Sequence, residues 1–574
     1  MTANADAFHI HKVESDVPVP MRDGTILSAD LYRPNGPGDL PVLLCRTPYN
    51  KRSERQVQDA VAMAQRGYLV VVQDVRGRDA SDGEWRWMFG EDYREAEDGY
   101  DTVEWAAALP GSTGKVGTFG LSYDAWLQWE LATLRPPHLV AMVPVGIATS
   151  LLDMTYGIFE TGRRLRWCYS MAASYRCKAG VTVGPQNRDE ANAVWNQMER
   201  DKWLWFLPFD DLPADEIFFG LADQFGEYLR HQNVDTWRFR EKHARIDTPA
   251  LSITGWYDRL IGTKDQFTGM RQNGHSPHGR TNQKLIIGPW GHTTDFTSQV
   301  GVMDFGPAAA LDYYDILSRW FDYWLKGVDT GVMGDPPVRR FLMGENRWYD
   351  DEEWPPAAIV YTDYYFHSEG AANTPAGGGV LALSPPQDEP ADHYTYDPRD
   401  PVMTLCTPDV QDTACDQRPL DHRQDVLVYQ TERLTAAVEV TGDIVVKLYA
   451  ASSAVDTDFT AKLVDVHPDG LAVGLCYGIL RAQYRKSYQN PSLIVPGQVV
   501  EYTISLRATS NLFKVGHRIR VDISSSNFPF FDRNHNTGLP FYADATLVKA
   551  EQTVLHSRDY PSRIILPVVP RPKV

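Results

Sequence analysis

The sequence predicts an α/β domain that is interrupted by a helical insertion and followed by an all-β domain. Short apolar runs alternate with helical stretches over residues 1–149 and again over 246–334. Strand signals vanish between these two parts, and strands with period-two alternation and no intervening helix fill the rest of the chain. The expected segments are thus two parts of one α/β domain, a helical cap over 150–245 and a jelly-roll β-sandwich over 335–574.

The first part shows the alternation of strands and helices most clearly. Apolar runs at 42–45, 68–73, 116–119 and 139–145 are separated by helical stretches such as QVQDAVAMAQRG and REAEDGYDTVEWAAALP. Strands that alternate with helices form a parallel sheet with helices on both faces. An antiparallel hairpin strand within 23–34, introduced by an Asp-Gly turn signal, precedes them.

The insert is helical in pattern and rich in Arg and Trp, as in GRRLRWCYSMAASYRC. Strands resume with ALSIT at 250–254 and KLIIG at 284–288, so both halves are predicted to share one sheet, with the active site under the insert. One basic and aromatic run of the insert is interpreted as a solvated helix face with packed tryptophans, rather than a pocket for an anionic or aromatic acyl group. That run includes Arg163, Arg164, Arg166 and Trp167.

The composition is that of a folded globular chain, with 43% hydrophobic and 23% charged residues among 574. The 56 basic and 75 acidic residues give a net charge of −19, which disfavours nucleic acid and anionic membranes as partners. The sequence has no apolar run of about 18 residues and starts without an export signal, MTANADAFHIHKVESD. A cytoplasmic protein is therefore expected, with a homodimer left open.

No cofactor and no metal are predicted. His9 and His11 form a His-x-His pair without an identifiable third ligand, and GSTGKVG lacks the Ser or Thr after Lys of a phosphate loop. The six cysteines form no Cys-x-x-Cys pair and are interpreted as ordinary thiols. A loop disulfide between Cys406 and Cys415 stays open for an oxidising compartment.

The sharpest local signal is KVGTFGLSYDAW, in which a strand runs into Ser122 and directly into the helix YDAWLQWELATL. A serine on such a turn is exposed at the carboxyl end of the sheet, and the helix N-terminus points at a developing oxyanion. The usual pattern of this nucleophile elbow is G-x-S-x-G, whereas here Asp124 stands at the fifth position and Ala125 follows. An ordinary strand-to-helix turn is the alternative for the pentapeptide alone.

A nucleophilic serine needs a base and a group that orients the base, and both follow in the expected chain order. Asp258 lies four residues past the strand ALSIT, and His292 lies four residues past KLIIG. The imidazole takes the proton of the hydroxyl, and the carboxylate fixes which ring nitrogen faces it. The sequence thus predicts a triad of Ser122, His292 and Asp258, with a loop histidine and a helix-capping aspartate as the alternatives.

An oxyanion needs two hydrogen-bond donors. The backbone N–H of Tyr123, directly after the serine, is one by position. Tyr49, in PVLLCRTPYNK after an early strand, offers a phenol as the second, and a packing role is its alternative.

Several motifs in fixed order resemble the cocaine esterase and X-prolyl dipeptidyl peptidase family, the CocE/NonD-type serine hydrolases. They are RTPYNK, QDVRGRDASDGEW, GLSYDAW, GWYD, GPWGH and MGENRWYDDEEWPP, and they span nearly the whole chain. The resemblance implies an α/β-hydrolase domain with a helical cap and a C-terminal jelly roll. It also implies the site residues: a triad of Ser122, Asp258 and His292, with Tyr49 and Tyr123 as the oxyanion hole.

The chain departs from the family pattern at two glycines, where it carries Asp79 and Ala125. Ala favours a helix by about 1 kcal/mol over Gly, so the methyl of Ala125 is expected to be tolerated if the helix has begun there. Asp is among the residues that tolerate a positive φ. Either change would reshape the floor of the pocket and hence the choice of substrate.

The expected function is cleavage of a small-molecule ester or amide through an acyl-Ser122 intermediate. Three alternatives stay open: an acyltransferase that passes the same acyl group to an amine or alcohol, a peptidase for Xaa-Pro peptides, and a non-catalytic binding protein. The peptidase would need an acidic anchor for the substrate's amino terminus, and the cap sequence does not identify one.

Overall fold

The computed structural model describes residues 9–36, 38–91, 93–373, 378–406 and 412–571. Within them, a largely parallel sheet covered by helices precedes a second, β-rich region, and a block of helices interrupts the first sheet. This is the predicted α/β-hydrolase architecture with a helical cap and a C-terminal β domain.

The described residues up to 351 contain twelve strands. They are β1 (Ile10–Pro20), β2 (Ile26–Pro34), β3 (Leu40–Thr47), β4 (Leu69–Asp74), β5 (Ser112–Leu121), β6 (Leu139–Val145), β7 (Ala250–Gly255), β8 (Gln283–Gly288), β9 (Gln299–Val300), β10 (Met303–Asp304), β11 (Val338–Leu342) and β12 (Arg347–Asp351). Ten of them form one sheet in the order β1-β2-β4-β3-β5-β6-β7-β8-β11-β12, and β9 and β10 form a separate hairpin. The sheet is parallel from β4 to β11, so the carboxyl ends of these strands meet at one edge.

Helices cover both faces of this sheet, which is why β4, LVVVQD, is buried at every position rather than at alternate ones. In chain order the helices are α1 (Glu54–Ala64), α2 (Glu95–Ala107), α3 (Tyr123–Ala132), α4 (Leu151–Thr155), α5 (Thr161–Lys178), α6 (Arg188–Val194), α7 (Arg200–Leu204), α8 (Ala214–Ile217), α9 (Ala222–Arg230), α10 (Phe239–Lys242), α11 (Thr263–Asn273), α12 (Pro277–Thr281) and α13 (Tyr313–Phe321). Helices α4 to α10 lie between β6 and β7 and form the cap. None of the helices that the structure describes is long and apolar enough to cross a membrane.

The β-rich region contains a second, mostly antiparallel sheet of twelve strands among the described residues. The long strand β18 alternates buried and half-buried residues along its middle, as the period-two pattern predicts. The strands are β13 (Val360–His367), β14 (Val380–Ala382), β15 (Asp392–Tyr396), β16 (Cys415–Asp416), β17 (Leu427–Gln430), β18 (Val438–Ser452), β19 (Asp458–Val466), β20 (Ala472–Arg481), β21 (Val500–Phe513), β22 (Arg518–Ser524), β23 (Ala550–Leu555) and β24 (Arg563–Val569).

Two features differ from the sequence-based expectation. Strands β11 and β12 lie beyond residue 335 but pair with β8 and with each other in the first sheet, so we propose that the C-terminal domain starts after residue 351. Cys406 and Cys415 are joined in a disulfide, with Cα atoms 5.7 Å apart, and are not ordinary thiols. A disulfide requires Cα atoms within about 7 Å of each other, which cysteine spacing does not specify.

Candidate active site

Ser122 stands in the sharp turn between β5 and α3, at the carboxyl edge of the sheet. Its φ is +64° and its ψ is −114°, a conformation that a residue with a side chain rarely adopts. The N–H of Ser122 donates to the carbonyl of Val145 on the neighbouring strand, at 2.8 Å. The turn also requires a small residue at Gly120, because a Cβ there would lie 2.5 Å from that of Asp124.

Asp258 and His292 lie in the loops after β7 and β8, and the fold brings both to Ser122. The distance from Nδ1 of His292 to Oδ1 of Asp258 is 2.9 Å, and the distance from Nε2 to Oγ of Ser122 is 3.0 Å. Because a carboxylate only accepts hydrogen bonds, Nδ1 carries the proton and Nε2 is left to accept the hydroxyl proton. The three side chains thus form a continuous hydrogen-bonded arrangement, in which the imidazole can accept the proton of the hydroxyl while the carboxylate stays ionised.

The carboxylate of Asp258 is held in place by further donors. The backbone N–H of Leu260 donates to Oδ1 at 2.8 Å, and the hydroxyl of Thr254 donates to Oδ2 at 3.2 Å. Burial would raise the pKa of Asp258, but its interaction with His292 and Arg259 outweighs burial, and the pKa lies below its ordinary value. The group is therefore an anion at neutral pH.

The imidazole of His292 is set up as a neutral base. Burial lowers its pKa and the positive charge of Arg259 adds to this effect, against the opposing influence of Asp258. The net pKa lies below the ordinary value for histidine. At pH 7 the ring is unprotonated, which is the state that accepts a proton from an alcohol.

Two residues of this site were not found from the sequence. Gly146, just past β6, has a φ of +60°, and a Cβ there would lie 2.8 Å from Oδ2 of Asp258, so only glycine leaves room for the carboxylate. Arg259 is buried and pairs with Asp412 at 2.9 Å, which places its charge beside the histidine. Neither the positive φ of Gly146 nor the partner of Arg259, more than 150 residues away, can be inferred from a local sequence pattern.

The two departures from the family glycines are accommodated by the backbone. Ala125 is buried in the first turn of α3, and within a helix alanine is favoured over glycine. Asp79 adopts a φ of +41° and its carboxylate accepts a hydrogen bond from Asn50 at 3.2 Å. Asp124 is also buried, and burial raises its pKa to about 7, partly offset by a hydrogen bond from Gln56.

The side chains of the two candidate oxyanion residues pack against each other. The rings of Tyr49 and Tyr123 pack edge to face with centroids 6.3 Å apart. Tyr123 is the first residue of α3, so its N–H is among those without a partner inside the helix. The indole of Trp167 from the cap donates to the phenol oxygen of Tyr49 at 3.3 Å, which orients the hydroxyl.

The interpretation of the cap run as a solvated helix face with packed tryptophans is wrong for Arg164 and is confirmed for Trp167. Arg164 is buried, pairs with Glu160 at 2.5 Å and lies 4.2 Å from the ring centre of Phe89. Trp167 is also buried. Helix α5 faces an aromatic segment of the α/β domain, which supplies partners that the helix sequence cannot reveal. Trp167 packs against Trp85, Trp87 and Phe89.

A cavity of about 480 Å³ opens beside Tyr49, between the cap and the α/β domain. The guanidinium of Arg188 lies 4.3 Å from the centre of the Tyr49 ring. Asp79, which stands where the family pattern has glycine, also lines this cavity, together with Arg78 and Lys178. The cavity is large enough for a small molecule, and Tyr49 is the candidate site residue that lines it.

Comparison with known families matches both halves of the chain. Residues 23–294 match the family model of the X-Pro dipeptidyl-peptidase (S15 family), and residues 330–565 match that of the X-Pro dipeptidyl-peptidase C-terminal non-catalytic domain. Ser122, Asp258 and His292 all fall within the first match.

The chain is similar to individual proteins over nearly its full length. It is 36% identical over 593 residues to cocaine esterase from Rhodococcus sp. (strain MB1 Bresler), covering 98% of this chain and 99% of that one. The solved aminopeptidase from a marine sediment Thaumarchaeota archaeon superposes with a TM-score of 0.81 at 25% identity, covering 99% of this chain and 98% of the other. An α-amino acid ester hydrolase superposes with a TM-score of 0.77 at 26% identity, with the same coverage.

Proposed function

We propose, because the chain belongs to the family of cocaine esterase and the X-Pro dipeptidyl-peptidases, that it acts on esters or amides through an acyl intermediate on Ser122. Membership of this family makes the chain a serine hydrolase of esters or amides, not a non-catalytic binding protein. The observation that carries the assignment to Ser122 is the pair of contacts of His292, at 2.9 Å to Asp258 and 3.0 Å to Ser122.

In the proposed reaction, Oγ of Ser122 attacks the substrate carbonyl carbon while its proton passes to Nε2 of His292. The tetrahedral intermediate collapses, the bond to the leaving group breaks, and the imidazolium returns the proton to the leaving oxygen or nitrogen. Water then attacks the acyl carbon while His292 accepts its proton, and the imidazolium returns that proton to Oγ of Ser122 as the bond to the acyl carbon breaks and the free acid leaves. Asp258 stays ionised and stabilises the imidazolium in both halves.

We propose that the carbonyl oxygen, as it becomes an oxyanion, accepts hydrogen bonds from the phenol of Tyr49 and the N–H of Tyr123. The edge-to-face packing of the two rings and the indole hydrogen bond of Trp167 support this role, because they fix the phenol before substrate binds. A preorganised donor costs no rearrangement at the moment of reaction.

Removal of the phenol hydroxyl in Tyr49→Phe is expected to lower kcat by about 10² to 10³-fold with little change in KM, because the donor acts on the transition state. Steady-state kinetics on an ester panel measures both parameters. Tyr361→Phe, which alters an exposed tyrosine of the β domain, is the matched control and should keep full activity. A rise in KM with unchanged kcat in Tyr49→Phe would assign Tyr49 to substrate binding instead.

The charges near the triad favour an uncharged or anionic acyl group. Arg163 and Arg259 both lower the pKa of His292, which places two cations within electrostatic range of the reaction centre. The buried acid of the cap, Glu160, is already paired with Arg164 at 2.5 Å. The other oxygen of Glu160 lies 3.9 Å from Arg259, so arginines face both oxygens, and we propose a small-molecule ester or amide rather than a Xaa-Pro peptide as the substrate.

The partner of the chain is thus a small substrate, as its family implies. A homodimer and a cytoplasmic location remain proposals from the sequence. The disulfide between Cys406 and Cys415 weighs against the cytoplasm, because such bonds persist in oxidising compartments.

Labelling with a fluorophosphonate probe tests the proposed nucleophile. Wild type is expected to label and Ser122→Ala is not, because the probe reacts only with a serine whose proton has an acceptor. Ser384→Ala, at an exposed serine of the β domain, should label like wild type. Equal labelling of Ser122→Ala and wild type would mean that another residue is the nucleophile. An unlabelled wild type would contradict the proposal.

A further inference from the structure

A second cluster of chemically active side chains lies in the β domain. Asp465 near the end of β19, His467 just past it and His517 just before β22 come together because these two strands pair antiparallel, with Val466 opposite Arg518. One donor atom from each of the three side chains lies within 4.8 Å of the others. Two imidazoles and one carboxylate are a ligand set suited to a divalent transition metal such as Zn²⁺.

Hydrogen bonding within the cluster joins Asp465 to His517 but not to His467. Nδ1 of His517 lies 2.8 Å from Oδ1 of Asp465, and Asn511 donates to Oδ2 at 3.2 Å. Nε2 of His467 lies 3.9 Å from Oδ2 of Asp465, too far for a hydrogen bond. The rings of His467 and His517 have centroids 4.5 Å apart. A hydrogen bond between Asp465 and His517 thus explains why these two side chains lie together, but it does not explain the position of His467.

A cavity of about 50 Å³ adjoins these side chains, and two further polar atoms on its lining have no partner. The hydroxyl of Tyr257 and Oδ1 of Asn346 are buried without a hydrogen bond to any residue that the structure describes. Tyr257 is 6% exposed, so water from outside does not readily satisfy it. Unpaired buried polar atoms are costly and are usually matched by an ion or ordered water. Lys514, the one cation on the cavity lining, is exposed and free to extend into solvent.

We propose that Asp465, His467 and His517 bind a divalent transition-metal ion of the Zn²⁺ type, with Tyr257 and Asn346 hydrogen-bonding to water that completes its coordination. The cavity has room for an ion and one or two waters.

The place of this site in the fold indicates a structural role. Tyr257 comes from the α/β domain, and its N–H donates to the carbonyl of Trp290 at 3.0 Å. It directly precedes Asp258, whereas the three proposed ligands belong to the β domain. A bound ion would therefore connect the β domain to the segment that carries Asp258, and we expect it to raise the melting temperature by mass action.

Calorimetric titration of the full-length, chelator-treated protein with Zn²⁺ tests the site. Wild type is expected to bind one equivalent, and His467→Ala is expected to bind at least about 100-fold more weakly because it loses a ligand. The melting temperature without zinc shows whether His467→Ala and the more conservative His467→Gln still fold. Folding is expected because His467 makes no close hydrogen bond to Asp465. A zinc-dependent rise in melting temperature should accompany binding in wild type alone.

Two controls separate this site from other histidines. His422→Ala, at an exposed position of the β domain, and His292→Ala, at the candidate triad, should both keep the zinc stoichiometry and affinity of wild type. Wild type with a Kd weaker than about 1 mM would refute the site. Undiminished binding by folded His467→Ala would refute it equally, and loss of binding in His292→Ala would assign the zinc to the triad instead.

Discussion

Replacement of His292 by alanine is expected to lower kcat by about 10⁶-fold, the scale seen when a serine hydrolase loses a group on which the others depend. Without the imidazole, the hydroxyl of Ser122 has no acceptor within 3.0 Å for its proton, and the leaving group has no acid to protonate it. KM should change little, since the ring contacts the hydroxyl and Asp258 rather than the bulk of the substrate. Turnover of an activated ester over long incubations, with purified variant and wild type in parallel, measures the loss.

The control for this substitution is His422→Ala, which removes an exposed imidazole from the β domain and should retain wild-type kcat. Circular dichroism and the melting temperature should show that His292→Ala is folded, because the change leaves only a small cavity in a partly open site. A loss smaller than about tenfold would mean that another group accepts the proton, and the triad as assigned would be wrong.

The sequence specified the elbow because three local signals coincide there. The apolar strand, the glycines before Ser122 and the helix directly after it describe a single turn, and the structure has that turn with β5 ending at Leu121 and α3 beginning at Tyr123. Asp258 and His292 were predicted for a related reason: each follows a strand of a parallel sheet, and the carboxyl ends of such strands share one edge. Periodicity and chain order are enough to bring the three together.

The remaining features depend on contacts between distant segments. Arg259 pairs with Asp412, and Trp167 donates to Tyr49, and neither partner is indicated by local spacing. Strands β11 and β12 resemble the sandwich strands in pattern, so only their pairing assigns them to the first sheet. The cluster of Asp465, His467 and His517 likewise arises from strand register, whereas the sequence drew attention to His9 and His11.

Replacement of Asp258 by asparagine is expected to lower kcat by about 10⁴-fold while the fold is retained, because the two side chains are nearly the same shape. The amide of asparagine can present its N–H₂ to Nδ1, which favours the tautomer with the proton on Nε2, the wrong nitrogen for accepting the proton of Ser122. The variant also loses the anion that stabilises the imidazolium. Kinetics of acylation with an activated ester measures the loss, and Asp559→Asn, at an exposed site of the β domain, is the control.

The pH profile of Asp258→Asn distinguishes loss of orientation from a general structural defect. In wild type, Asp258 raises the pKa of His292 against the opposing effects of burial and Arg259. Removing the carboxylate should therefore lower that pKa further, and the acidic limb of kcat/KM, where activity is lost as the base becomes protonated, should move to lower pH. A structural defect alone would reduce activity at every pH and leave the limb in place. An unmoved limb, or kcat within tenfold of wild type, would show that Asp258 is not the partner of His292.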